Sequence, residues 1–206
     1  MEDKRDYKKI FKELYSQSEK EISILEVPRF NYLMIKGNGN PNTSKEYEDA
    51  VQALFSVSYG IKFMIKKSEL KINYGVMPLE GLWWTEDMKD FSIYNKDIWK
   101  WCAMIMQPDV VTENYVSKAL DEIAKKKQLN SLSKIEYKEH EEGIVAQIMH
   151  IGPYADEAPT IERLHSFIDG KGYKLKGLHH EIYLNDPRKC APEKMKTIIR
   201  QPIEKI

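Results

Sequence analysis

The sequence predicts an α+β fold made of two βαββ units in tandem, related about a pseudo-twofold seam. Three observations carry this. Short strand-like runs alternate with stretches of helical period along the 206 residues. The order strand, Gly/Pro loop, helix, strand, strand occurs twice. The strand after the helix holds a glutamate in each unit, Glu80 in "GVMPLEGLWW" and Glu181 in "GLHHEIYL".

The elements follow in order. Tyr7, Ile10, Phe11, Leu14 and Tyr15 fall at helical spacing, so residues 5–15 are expected as an amphipathic helix. Phe30 to Ile35 reads as a strand ended by the "KGNGNPN" loop. Thr43 and Glu46 have capping-box spacing for the helix that follows. That helix would bury Ala50, Val51, Leu54, Phe55 and Val57 and fray near Gly60. Strands are expected over Ile72–Trp84 and Ile98–Pro108. A linking helix starts at Thr112, with Val116, Ala119, Leu120, Ile123 and Ala124 on one face. Lys125, Lys126 and Lys127 suit its C-terminal end, where the helix dipole favours cations.

The second unit opens with two strands around a Glu141-Glu142-Gly143 turn. A helix from Asp156 to Ile168 carries Pro159 in its first turn, and Gly170 and Gly172 end it. "LKGLHHEIYL" and "MKTIIRQP" are the last strands. The expected organisation is a helical extension over 1–28 and a body over 29–206. Within the body, unit one spans about 29–108, the linking helix about 112–128 and unit two about 134–206.

Composition bounds the function. Thirty-two basic and 32 acidic residues leave no formal net charge, which disfavours direct nucleic-acid binding. Two cysteines outside any CxxC suit a reducing cytoplasm and no disulfide framework. Cys102 reads as a small core residue. The start of the chain has no apolar run of a signal peptide, and no run approaches a membrane span. "GNGNPN" lacks the third glycine of a dinucleotide loop. His179 and His180 are adjacent in a strand and point to opposite faces, so they do not share a metal. The expectation is a cytoplasmic protein without metal or cofactor.

Glu181 is out of place in a strand by propensity. It is a solvated edge residue, an ion-pair partner or the floor of a site. Alternation puts it on one face with His179 and Tyr183. Glu80 shares a face with Leu82 and Trp84, and Trp83 faces away. Trp99 and Trp101 share a face. Glu80 and Glu181 are therefore expected as paired carboxylates in an aromatic hollow lined by Trp84, Trp99, Trp101, Tyr154 and Tyr183. Two close carboxylates in an apolar place raise one pKa and make an acid or base usable near neutral pH. His150 reads either as a ligand-orienting group or as a satisfied structural histidine.

"QIMHIGPYADE", "GLHHEIYLNDPRK" and "TIIRQP" resemble the GyrI-like small-molecule-binding family. "MIKGNGNPN" and "PLEGLWW" resemble the N-terminal half of its stand-alone members, and the resemblance runs from Arg29 onward. It implies tandem βαββ repeats enclosing a central cleft for hydrophobic, often cationic or planar molecules. The family's cleft glutamate falls on Glu181, and its "GPY" loop on Gly152, Pro153 and Tyr154. Some relatives are fused to helix-turn-helix regulators. No stretch for such a domain is present here, so the stand-alone architecture is expected. That subgroup implies hydrolytic opening of cyclopropane-bearing DNA-alkylating natural products. The alternatives are sequestration of drug-like ligands and, third, interaction with a protein such as a topoisomerase.

Overall fold

The computed structural model describes residues 3–87 and 95–206. A β-sheet of nine strands forms its centre. In chain order its first four long elements are β2 (Ser23–Val27), β3 (Phe30–Asn38), β5 (Leu79–Trp84) and β6 (Lys100–Gln107). Then come β7 (Glu136–His140), β8 (Gly143–Ile151), β9 (Tyr173–Leu175), β10 (His179–Tyr183) and β11 (Lys196–Lys205). The remaining strands, β1 (Asp3–Arg5) and β4 (Ile72–Tyr74), form a separate parallel pair.

The main path runs β2-β8-β11-β10-β5-β6-β3-β7, with β9 beside β11. Strands from residues 30–107 form the run β5-β6-β3, and strands from residues 143–205 form the run β8-β11-β10. They meet in the antiparallel pair β10-β5, whose register places Glu181 opposite Gly81 and Ile182 opposite Glu80. This register decides the site.

Helices α3 (Lys45–Lys67) and α5 (Ala158–Gly170) cover one face of the sheet, and α4 (Glu113–Lys126) packs on α3. Ala50, Leu54, Val57, Ile61 and Ile65 form the buried stripe of α3. Leu164 and Ile168 of α5 pack with Ala146, Ile148, Ile199 and Ile203. Each buried Leu, Ile or Val among them stabilises the fold by about 1.5–3 kcal/mol. Two single-turn helices, α1 (Tyr7–Ile10) and α2 (Lys12–Tyr15), lie against the opposite face, where Tyr15 and Leu14 are buried.

Several expectations change at this level. The helix expected over 5–15 breaks at Phe11, whose backbone (φ −100, ψ 45) is not helical. The segment 1–28 is not wholly helical, because Ser23–Val27 pairs with β8 as a strand of the main sheet. Ser44, not Thr43, caps α3, accepting from the Tyr47 amide at 3.2 Å. Gly60 does not end α3. Ala119 and Ile123 of α4 pack beside it, and the stripe Val57, Ile61, Ile65 carries the helix on to Lys67. The strand expected over Ile72–Trp84 divides around residues 75–78, where Gly75 and Pro78 interrupt it.

Candidate active site

Glu181 stands on the helix-covered face of β10. Its Oε2 accepts from the Tyr183 hydroxyl at 2.7 Å, and its Oε1 lies 3.0 Å from His179 Nε2. The carboxylate only accepts, so that contact places a proton on Nε2. The three side chains alternate along one strand and therefore share a face, as the sequence predicts. The Tyr183 hydroxyl also accepts from Trp83 Nε1 at 3.1 Å. This chain of donors holds both oxygens of Glu181.

A glycine makes the chain possible. A Cβ on Gly81 would lie 2.7 Å from Trp83 Nε1, so the missing side chain lets the indole lie back across β5 toward Tyr183. Gly37 does the same for Trp101, whose ring would sit 2.3 Å from an added Cβ. Tyr47, from the first turn of α3, joins the two indoles. Its ring centroid is 5.7 Å from that of Trp83 and 5.0 Å from that of Trp101. Trp99 lies 5.3 Å from Trp83, and Tyr154 packs edge-on to Tyr183 at 5.4 Å.

The second carboxylate is Glu157, at the start of α5. It is 3% exposed and near enough to Glu181 for the two charges to interact, and its Oε1 is buried without a hydrogen-bond partner among the described residues. Burial and then the Glu181 charge push its carboxyl far above the ordinary range. Burial alone would raise Glu181 too, but the His179 and Tyr183 hydrogen bonds outweigh it and hold its carboxyl low. The pair therefore contains one ionised and one neutral carboxyl at neutral pH, because two close like charges resist ionising together. Such a divided pair has an acid and a base ready side by side.

Glu80 and Trp84 are corrections to the sequence reading. In register, Glu80 pairs with Ile182 and not with Glu181, so it projects from the opposite face of the sheet. It is fully buried there, accepting from the Tyr15 hydroxyl at 2.9 Å and lying 3.0 Å from His180 Nε2. Trp84 shares that face, and Trp83 takes its place at the site. His150 takes the structural alternative. Its Nδ1 lies 3.0 Å from the Thr160 hydroxyl and its Nε2 3.3 Å from the Pro153 carbonyl, so it ties the "GPY" loop to α5. Glu157, Tyr47 and Trp83 were not singled out from sequence. The readable signal for Glu157 was an acid between the "GPY" loop and a helix start.

Among the described residues, no group of three or more His, Cys, Asp or Glu is arranged to hold a metal ion. Cys102 is buried, and burial pushes its thiol up to about 12. An open groove of about 1690 Å³ runs over α3 and reaches the aromatic cluster at Tyr47 and Tyr183. No described helix is long and apolar enough to cross a membrane.

The model of the GyrI-like small molecule binding domain matches residues 20–204. The chain belongs to the GyrI-like family. Its α+β fold is shared with solved structures along almost the full length. An uncharacterised conserved protein from Listeria innocua is 38% identical over 97% of this chain and 99% of its own, with a TM-score of 0.89. A hydrolase encoded by lin2189 from the same organism is 38% identical over 98% and 100%, with a TM-score of 0.87. The C-terminal domain of EcmrR, 12% identical over 90% of this chain and 98% of its own at a TM-score of 0.56, shares the fold alone. A search of curated proteins gives no match.

Proposed function

We propose that this GyrI-like protein is a hydrolase of reactive, planar electrophiles, cyclopropanoid DNA-alkylating compounds among them, and serves detoxification. The observation that carries the reading is the buried Glu181–Glu157 pair beneath aromatic walls. Similarity to a hydrolase from Listeria innocua over the whole chain supports the reaction class.

In this reading the substrate lies flat against Trp83, Tyr47 and Trp99, its strained ring conjugated to a carbonyl. Glu181 takes a proton from water as the water oxygen bonds to the ring carbon. The ring C–C bond breaks, and its electron pair moves through the conjugated system to the carbonyl oxygen. Glu157 gives that oxygen its proton. Return of the proton from Glu181 to Glu157 resets the pair, and the net reaction adds one water. The aromatic walls orient the substrate, which contributes to rate by removing rotational freedom before reaction. Trp84, Glu80 and His150, expected at the site, have no part in this scheme.

Sequestration is the second reading. An ionised carboxylate among aromatic rings also suits a drug cation, through charge and cation–π attraction. Incubation with a cyclopropane-type alkylator, followed by mass spectrometry, separates the two. Hydrolysis predicts a product heavier by one water, formed catalytically by the wild type and not by Glu181→Gln, which still binds the compound. Binding with unaltered compound would overturn the hydrolase reading.

A further inference from the structure

The charge balance of the whole chain is zero, but the charge is unevenly placed. The groove over α3 is lined by eight lysines and arginines against three carboxylates. All three carboxylates are already paired: Glu48 with Lys45, Glu122 with Lys126, and Asp186 with Arg188. Lys8, Lys67, Lys118 and Lys127 line the groove without an ion pair among the described residues. Such a wall of cations focuses field lines on whatever occupies the groove.

The floor adds a second feature. Phe55, Tyr59 and Phe63 succeed one another at four-residue spacing on the outer face of α3. Their ring centroids are 6.4 Å apart in both steps, and the planes differ by 31° and 28°. Tyr59 and Phe63 are 45% and 49% exposed. Lys62 Nζ lies 5.9 Å and 5.4 Å from their ring centroids. Large exposed aromatics in a row mark an interaction surface.

We propose that this groove binds single-stranded nucleic acid, the phosphates on the lysines and the bases on the aromatic ladder. Small-ligand pockets measure about 300–1,000 Å³. The groove exceeds that range and follows the length of α3, so it suits an elongated occupant. A strand brings one phosphate and one flat face with every nucleotide, which matches a cationic wall beside repeated rings. A duplex keeps its bases stacked on each other and presents no free face. An acidic peptide would meet the lysines but brings few flat groups to three rings. An anionic membrane does not follow a concave floor.

The test is fluorescence anisotropy of the full-length protein with a labelled oligothymidine, across a salt series. Saturable binding is expected, with a log–log salt slope of about −3 for four neutralised phosphates. Tyr59→Ala and Phe63→Ala, both exposed, should each weaken binding about tenfold. Lys67→Glu and Lys118→Glu should weaken it and flatten the slope by about 0.7 each. Salt-independent binding, insensitivity to these substitutions, or equal binding of duplex, poly-glutamate or anionic vesicles would overturn the proposal.

Discussion

The two faces of β10 hold the same residue types and use them in opposite ways. On the reverse face, His180 lies between two carboxylates, 2.9 Å from Glu142 and 3.0 Å from Glu80. Glu142 also accepts from Arg200 at 2.9 Å, and Arg200 donates to Gln147 at 2.8 Å and to the Leu14 carbonyl at 3.2 Å. Two carboxylates meet two cationic groups, and α1 and α2 close over them. On the helix face, Glu181 and Glu157 share their place with a histidine, tyrosines and indoles, and a groove leads up to Tyr183. Burial is therefore common to both clusters and does not identify the site. What separates them is whether the charges are balanced within the cluster.

Breaking each cluster should have a different kind of consequence. The largest expected effect is on the helix face. Glu181→Gln should lower turnover by about 10²–10⁴-fold, the usual contribution of a positioned proton acceptor, while ligand affinity and thermal stability stay near wild type. Loss of folding in place of turnover would erase the contrast.

Next is Arg200→Leu, which leaves Glu142 buried with less compensation. Unfolding in urea should show a loss of about 3–5 kcal/mol. A change under 1 kcal/mol would show that the reverse face does not depend on its charge balance.

The pH dependence of stability reads the same cluster without mutation. Burial would lower the His180 pKa, but the Glu142 and Glu80 carboxylates prevail and raise it to about 9. Its stabilisation is complete below the unfolded value near 6.5 and disappears as pH rises through 9. Melting curves should record a decline of order 3 kcal/mol across that interval. Glu142 has the opposite sign. Burial raises its carboxyl, His180 and Arg200 lower it further, and its stabilisation is lost only as acid brings pH below the ordinary carboxyl range. A melting temperature that stays flat from pH 6.5 to 9 would remove His180 from the account.

The smallest effect sharpens the comparison. Tyr15→Phe removes one hydrogen bond to Glu80 and should cost about 1.5–3 kcal/mol in chemical denaturation, with kcat unchanged. A fall in kcat at unchanged fold would mean that the reverse face acts on the chemistry.

The sequence showed one half of this site clearly. Alternation within β10 is local, and it correctly grouped His179, Glu181 and Tyr183. The α+β class and the order of elements followed from equally local signals. The partner strand was a different matter. Alternation also grouped Glu80 with Trp84 and opposed Trp83, but it could not say which group faces Glu181. That depends on the β10-β5 register, and a shift of one residue exchanges the faces. Glu157 was hidden for another reason. It enters from a helix start more than twenty residues before β10, and only the packing of α5 on the sheet brings it to Glu181. Tyr47 reaches the site in the same way from α3. Gly81 gave no signal of its own, since its role appears only beside the indole it makes room for.

The most direct test of the central claim compares Glu181→Gln with Glu80→Gln, both assayed for hydrolysis of a cyclopropanoid alkylator per folded molecule. Glu181→Gln should bind the compound without turning it over. Glu80→Gln should be less stable but hydrolyse at the wild-type rate once folded. Loss of turnover in Glu80→Gln with Glu181→Gln still active would contradict the claim.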